Sequence, residues 1–103
     1  MILKCQKDIE IKMCDTFFKK LMGLMFKKNF NYGLCFKKCN SIHTFFMFKK
    51  IDVIMTDKNN KVLYIFNELK PYRIILPQKK VYYTYELPEK YNNYKINDYL
   101  QFK

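Results

Sequence analysis

Along most of this chain apolar and polar residues alternate with a period of two. Ile9, Ile11 and Met13 alternate with Asp8, Glu10 and Lys12, which places the apolar set on one face of a strand. With Ile2 and Leu3 ahead of them, residues 2–13 predict two short strands or one long hairpin. The period then lengthens. Asp15 or Thr16 can accept a hydrogen bond from an orphan amide as a helix N-cap. Phe17, Phe18, Leu21, Met22 and Met25 share one helical face, with Lys19 and Lys20 outside it. Gly23 interrupts this run and accepts the backbone geometry that ends a helix. One short N-terminal helix is predicted, over about residues 16–23.

The remainder reads as strands. Tyr32 to Phe36 is a short apolar run. Ile51 to Thr56 and Lys61 to Phe66 flank Asp57-Lys58-Asn59-Asn60, a hairpin signal of β-branched and aromatic residues around an Asp/Asn turn. Pro71 and Pro77 bound Ile74 to Leu76. Val81 to Leu87 has the strongest strand propensity, and Pro88 closes it. Tyr94 to Phe102 offers one last strand, after Asn97-Asp98. Several short strands between turns define a mainly β fold, a sandwich or partly open barrel with one helix against it.

The 103 residues suit one domain, 1–103, with a real core. Half of them are hydrophobic, which excludes a disordered chain. The net charge of +11 suggests an anionic partner. Arg73, however, is the only arginine, and the chain has neither Ala nor Trp. That composition follows AT-rich codons, and readers of nucleic acid favour the bidentate fork of arginine. Specific nucleic-acid binding is therefore disfavoured, and nonspecific binding through the basic surface is kept as an alternative. No apolar segment at the N-terminus resembles a secretory signal and no run is long enough to span a membrane. A cytoplasmic protein with reduced Cys5, Cys14, Cys35 and Cys39 is expected.

Chemistry concentrates in Cys35 to Met47. Cys35, Cys39 and His43 are ligand types that zinc accepts, although a second tight ligand pair is missing. Burial is the commoner fate of free cysteines. Cys39 beside His43 is a candidate thiol nucleophile. Asp52 and Glu86 sit in apolar strands, where a carboxylate must be paired, hydrogen-bonded or neutralised. They are expected to accept backbone amides or to pair, with Arg73 as the bidentate partner. The aromatic clusters Phe45-Phe46-Phe48 and Tyr82-Tyr83-Tyr85 are expected to send half their rings to the core.

Leu21-Met22-Gly23-Leu24-Met25-Phe26, Cys39 to Met47 with Ile51-Asp52-Val53, and Tyr85-Glu86-Leu87 occur in an order that resembles the domain-of-unknown-function 192 family. The resemblance covers about residues 10–102. Lys27 stands where arginine is usual in the family, and Asn97-Asp98 where Gly-Asp is usual. An asparagine can hold the same positive-φ turn. The resemblance implies a jelly-roll-like sandwich with the short helix after Thr16. It implies no activity, and an accessory role near pilus or secretion machinery. By position, the residues of interest are Cys39, His43, Thr44, Met47, Asp52, Arg73 and Glu86.

These readings converge on a non-enzymatic β module that binds a protein or small ligand through the His43–Met47 and Asp52 surface. The alternative is a metal- or thiol-dependent enzyme built on Cys39, His43 and Asp52.

Overall fold

A computed structural model describes residues 1–14 and 29–103. The helix expected over about 16–23 lies outside the described residues. Among those described, the chain forms eight strands and no helix. They are β1 (Ile2–Leu3), β2 (Ile9–Cys14), β3 (Tyr32–Lys37), β4 (Ile42–His43), β5 (Ile51–Thr56), β6 (Val62–Leu69), β7 (Ile74–Ile75) and β8 (Tyr83–Pro88). Six of them make one sheet in the order β1-β2-β3-β8-β5-β6, and β4 pairs with β7 in a separate ribbon. All pairings are antiparallel except β2 with β3.

The period-two pattern gives the sheet two apolar faces. Ile9, Ile11, Cys35, Ile54, Tyr85 and Leu87 form the first buried cluster. Leu34, Phe36, Ile51, Val53 and Met55 form the second, which also takes in Ile75 and Met47 from the ribbon side. Alternate residues of β3 and β5 thus go to opposite faces, and β5 is buried throughout, as a central strand covered on both sides must be. At Gly33 a Cβ would come within 2.7 Å of Ile11 Cδ1 and Leu87 Cδ2 and 3.1 Å of the Glu86 carbonyl. The missing side chain lets β2 and β8 interlock across β3.

The β5–β6 hairpin forms as its turn residues require. Asp57 Oδ1 accepts from the Asn59 and Lys61 amides at 2.8 and 3.0 Å, and Asn60 takes a positive φ of 63°. The last strand, expected after Asn97-Asp98, is reduced to isolated bridges. Asn97 adopts φ 78°, and Lys95 N–H donates to Asp98 Oδ2 at 2.8 Å, so a turn interrupts the extended run. What remains are single bridges, Lys61 to Tyr99 and Leu3 to Phe102. The C-terminal segment thereby touches both ends of the sheet order and packs Leu100 and Phe102 on the first cluster. The sheet itself is not closed.

Candidate binding surface

Thr44 organises the ribbon end of the molecule. It is completely buried, although it sits between two surface loops. Its hydroxyl donates to the Lys70 carbonyl at 2.8 Å and accepts from the Arg73 amide at 2.8 Å. Its own amide donates to the Arg73 carbonyl, and its carbonyl accepts from Tyr72 N–H, both at 2.9 Å. Four backbone and hydroxyl bonds from one residue lock the loop after β4 to the loop before β7. Each buried bond of this kind contributes about 1 kcal/mol, and an abandoned partner costs more. Met47 completes the anchor by entering the second cluster.

The same two loops push aromatic rings outward. Phe46 and Tyr72 have φ of 62° and 60°, the left-handed region that bulky side chains rarely occupy. Such strain costs about 1–3 kcal/mol and concentrates at functional sites. The two rings meet nearly edge-on with centroids 6.2 Å apart. Phe45 lies 6.2 Å from Tyr72 and 5.1 Å from the His43 ring. Tyr72 and Ile74 remain 60% and 59% exposed. Ile74 and His43 are cross-strand partners, so the outward side of the ribbon continues the patch. Contiguous exposed apolar surface of this kind marks interaction sites.

Lysines 49, 50 and 70, which adjoin the two loops in sequence, are exposed, and Lys49 Nζ donates to Asn29 Oδ1 at 3.1 Å. Arg73 is exposed too, and among the described residues its guanidinium donates to the Pro71 and Tyr72 carbonyls at 3.4 Å. The expected pairing of Arg73 with Asp52 or Glu86 is therefore absent. Thr44 fixes the Arg73 backbone at the surface, while both carboxylates are buried in the sheet.

Of the residues singled out from the sequence, His43 and Arg73 reach this patch, and Thr44 and Met47 hold its backbone. Cys39 lies beneath, packed on the second cluster, with its thiol donating to the Ser41 carbonyl at 3.1 Å. Asp52 lies elsewhere. Its neighbours Ile51 and Val53 face the second cluster, and its own carboxylate points to the other side of the sheet. There Oδ1 accepts from Glu68 N–H and Oδ2 from Asn92 N–H, both at 2.9 Å.

Glu86 pairs in register with Leu34 and Val53, so its side chain joins the second cluster. It is 4% exposed, and its Oε1 has no hydrogen-bond partner among the described residues. Burial pushes its pKa up to about 8, because an ion in apolar surroundings loses its hydration. Desolvation also raises the Cys35 thiol to about 11.

Cys39, His43 and Asp52 do not converge, because the sheet separates Asp52 from Cys39. Cys35 belongs to the first cluster and Cys39 to the second. Among the described residues no three His, Cys, Asp or Glu side chains gather as a metal-binding group. The sequence reading missed Tyr72, Ile74 and the outward direction of all three phenylalanines in Phe45-Phe46-Phe48. Alternation along extended backbone puts one of two adjacent rings inward, so it carried no signal that Phe45 and Phe46 would both turn outward.

Fold and patch together define a mainly β module that presents an aromatic, cation-bearing surface on a small ribbon. The family model DUF192 (Uncharacterized ACR) matches residues 2–98, and the chain belongs to that family. A UPF0127 protein of Pyrococcus horikoshii is 42% identical over 85 residues, covering 77% of this chain and 72% of the relative. A UPF0127 protein of Thermococcus kodakarensis is 40% identical over 85 residues, and the match spans 54% of that longer protein. A crystal structure of a protein of unknown function from Novosphingobium aromaticivorans superposes with a TM-score of 0.81 at 14% identity. That match covers 98% of this chain and 82% of the other. At such low identity the likeness concerns the fold alone. No helix among the described residues is long and apolar enough to cross a membrane.

Proposed function

We propose that residues 1–103 act as one non-enzymatic binding module. Its β4–β7 ribbon captures a protein segment that combines apolar and acidic side chains. The two-stranded ribbon, lying over the second cluster, serves as the smaller layer of a jelly-roll-like arrangement. The observation that carries the reading is the pair Phe46 and Tyr72. Two bulky residues held at positive φ keep their rings at the surface, against both backbone preference and the hydrophobic effect. Exposed cations on and next to the two loops favour acidic side chains in the partner.

The test uses two synthetic ten-residue peptides, one alternating Phe or Leu with Asp and one replacing each Asp by Ser. Amide chemical shifts are followed during titration. The acidic peptide is expected to move amides of His43–Phe48 and Lys70–Leu76 and to bind at least 5-fold more tightly than the neutral one. A Tyr72→Ser, Ile74→Ser double variant is expected to lose binding while keeping its melting temperature. Shifts confined to other strands, or binding unchanged in that variant, would refute the reading. An oligothymidylate titration that moves the same amides more strongly would instead favour nucleic acid.

A further inference from the structure

A second concave surface lies on the side of the sheet away from the ribbon, where Asp52 is held. It is a cleft of about 360 Å³ lined by Gln6, Asp52, Asn67, Glu68, Lys90 and Asn92. Small-molecule sites span roughly 300–1,000 Å³ and are mostly apolar. This lining contains no apolar side chain, so an apolar ligand has nothing to gain in it.

The floor of the cleft is fixed. Asp52 is 2% exposed, and the Glu68 and Asn92 amides each hold one of its oxygens at 2.9 Å. A carboxylate oxygen can accept two hydrogen bonds, so each keeps one position open. The Asn92 side chain is locked as well. Its Nδ2 donates to Asn67 Oδ1 at 2.9 Å, and its Oδ1 accepts from Tyr94 N–H at 2.8 Å. Around this floor the Gln6 amide, Asn67 Nδ2, the Glu68 carboxylate and the Lys90 ammonium have no partner among the described residues. Glu68 and Lys90 are both held at positive φ, 52° and 68°, a strain that clusters at ligand sites.

The lining also selects by charge. Two carboxylates against one ammonium make this a locally acidic spot in a chain of net charge +11, which disfavours an anion. Among the described residues no three His, Cys, Asp or Glu side chains gather, which disfavours a metal ion. What remains is a set of flat amide and carboxylate forks with donors and acceptors side by side. Vicinal hydroxyl groups, each both donor and acceptor, match such forks two at a time. An adjoining cleft of about 300 Å³ includes Cys5 and Asn93, chain neighbours of Gln6 and Asn92, together with Tyr94. The Gln101 amide pins the Tyr94 hydroxyl at 3.0 Å, and the C–H face of a sugar ring stacks on a tyrosine held in this way.

We propose that this cleft binds a neutral saccharide, with a pair of hydroxyls on Asp52 and Asn67 and an adjacent sugar ring on Tyr94. The site is independent of the ribbon. The test titrates the wild-type chain with cellotriose, maltotriose and tri-N-acetylchitotriose, each to about 20 mM, and follows backbone and side-chain amide chemical shifts. At least one sugar is expected to bind with a Kd below about 5 mM, moving Gln6, Asn67, Glu68 and Asn92 while leaving His43–Phe48 and Lys70–Leu76 in place. Raising salt from about 50 to 500 mM should change that Kd by less than about 2-fold, because the ligand is uncharged. A Gln6→Ala, Asn67→Ala double variant should bind about 10-fold more weakly or worse, whereas the ribbon variant Tyr72→Ser, Ile74→Ser should bind as wild type does. No shifts at these residues with any of the three sugars, full binding by the double variant, or larger shifts at the same amides with calcium chloride would overturn the proposal. The wild-type shift map needs no substitution, so it stands if the double variant folds poorly.

Discussion

On the first face of the sheet, Asp52 gives one oxygen to Glu68 N–H and the other to Asn92 N–H. On the second face Glu86 is just as deeply enclosed, yet its Oε1 meets no donor among the described residues. Both carboxylates stand on central strands, at 2% and 4% exposure, so burial alone does not distinguish them. What differs is the local backbone. Beside Asp52 the β5–β6 register shifts between Ile51 and Val53, and Glu68 takes φ 52°. That irregularity frees an amide from the ladder and turns it toward the carboxylate. Beside Glu86 the ladder is regular and its neighbours Leu34 and Val53 are apolar. The backbone there has no spare donor. A buried acid is thus a fastener where the sheet breaks register, and a titrating liability where it does not.

The largest effect expected from breaking this contrast is at Asp52. Asp52→Ala leaves the part-buried Glu68 and Asn92 amides without their charged acceptor and should cost about 3–5 kcal/mol in urea unfolding. Asp52→Asn, which keeps one acceptor, should cost roughly half as much. A loss under about 1 kcal/mol would show that Asp52 is no fastener.

Glu86 should behave in the opposite sense. Its folded pKa of about 8 lies above the ordinary 4.5, so the folded state holds a proton that the unfolded chain releases. Stability is then fully present below pH 4.5 and is lost as pH rises toward 8, by at most about 1.4 kcal/mol per pH unit. Glu86→Gln should remove that decline, matching wild type at pH 4 and exceeding it at pH 8.5 by about 2 kcal/mol or more. Parallel stability curves for the two proteins would contradict the assignment.

On the ribbon the effects are smaller. Thr44→Val should cost about 2 kcal/mol by leaving the Arg73 amide and the Lys70 carbonyl without their hydroxyl. Tyr72→Gly should be neutral or should stabilise by about 0.5–1 kcal/mol, because glycine accepts φ 60° without strain. The same variant should abolish peptide binding. A clear loss of stability would mean that the Tyr72 ring supports the fold.

The parts that were legible follow local rules. The β5–β6 hairpin announced itself through Asp57, Asn59 and Asn60, and one weighed reading of Asp52, that it serves backbone amides, describes its contacts. Arg73 misled because a lone arginine suggests a buried fork, whereas its position is set by Thr44, 29 residues away. Tyr72 and Phe46 could not be read in advance, since positive φ is ordinarily flagged by glycine and this chain has only two. The final strand, expected after Asn97-Asp98, shrank to single bridges at Tyr99 and Phe102, because the few residues beyond the Lys95–Asp98 turn meet two different ends of the sheet. Neither the parallel pairing of β2 with β3 nor the assignment of carboxylates to opposite faces leaves a local trace, because both are properties of the assembled sheet.

The bridge between Leu3 and Phe102 also has a meaning in time. A ribosome delivers β1 roughly a hundred residues ahead of its outer neighbour. The outer edge of β1 must wait unpaired until the segment around Phe102 can cover it. Such long-range closure is slow relative to local contacts. During that interval the growing polypeptide carries two open edges, at β1 and at β6, and it is the arrival of that segment that reduces them to one.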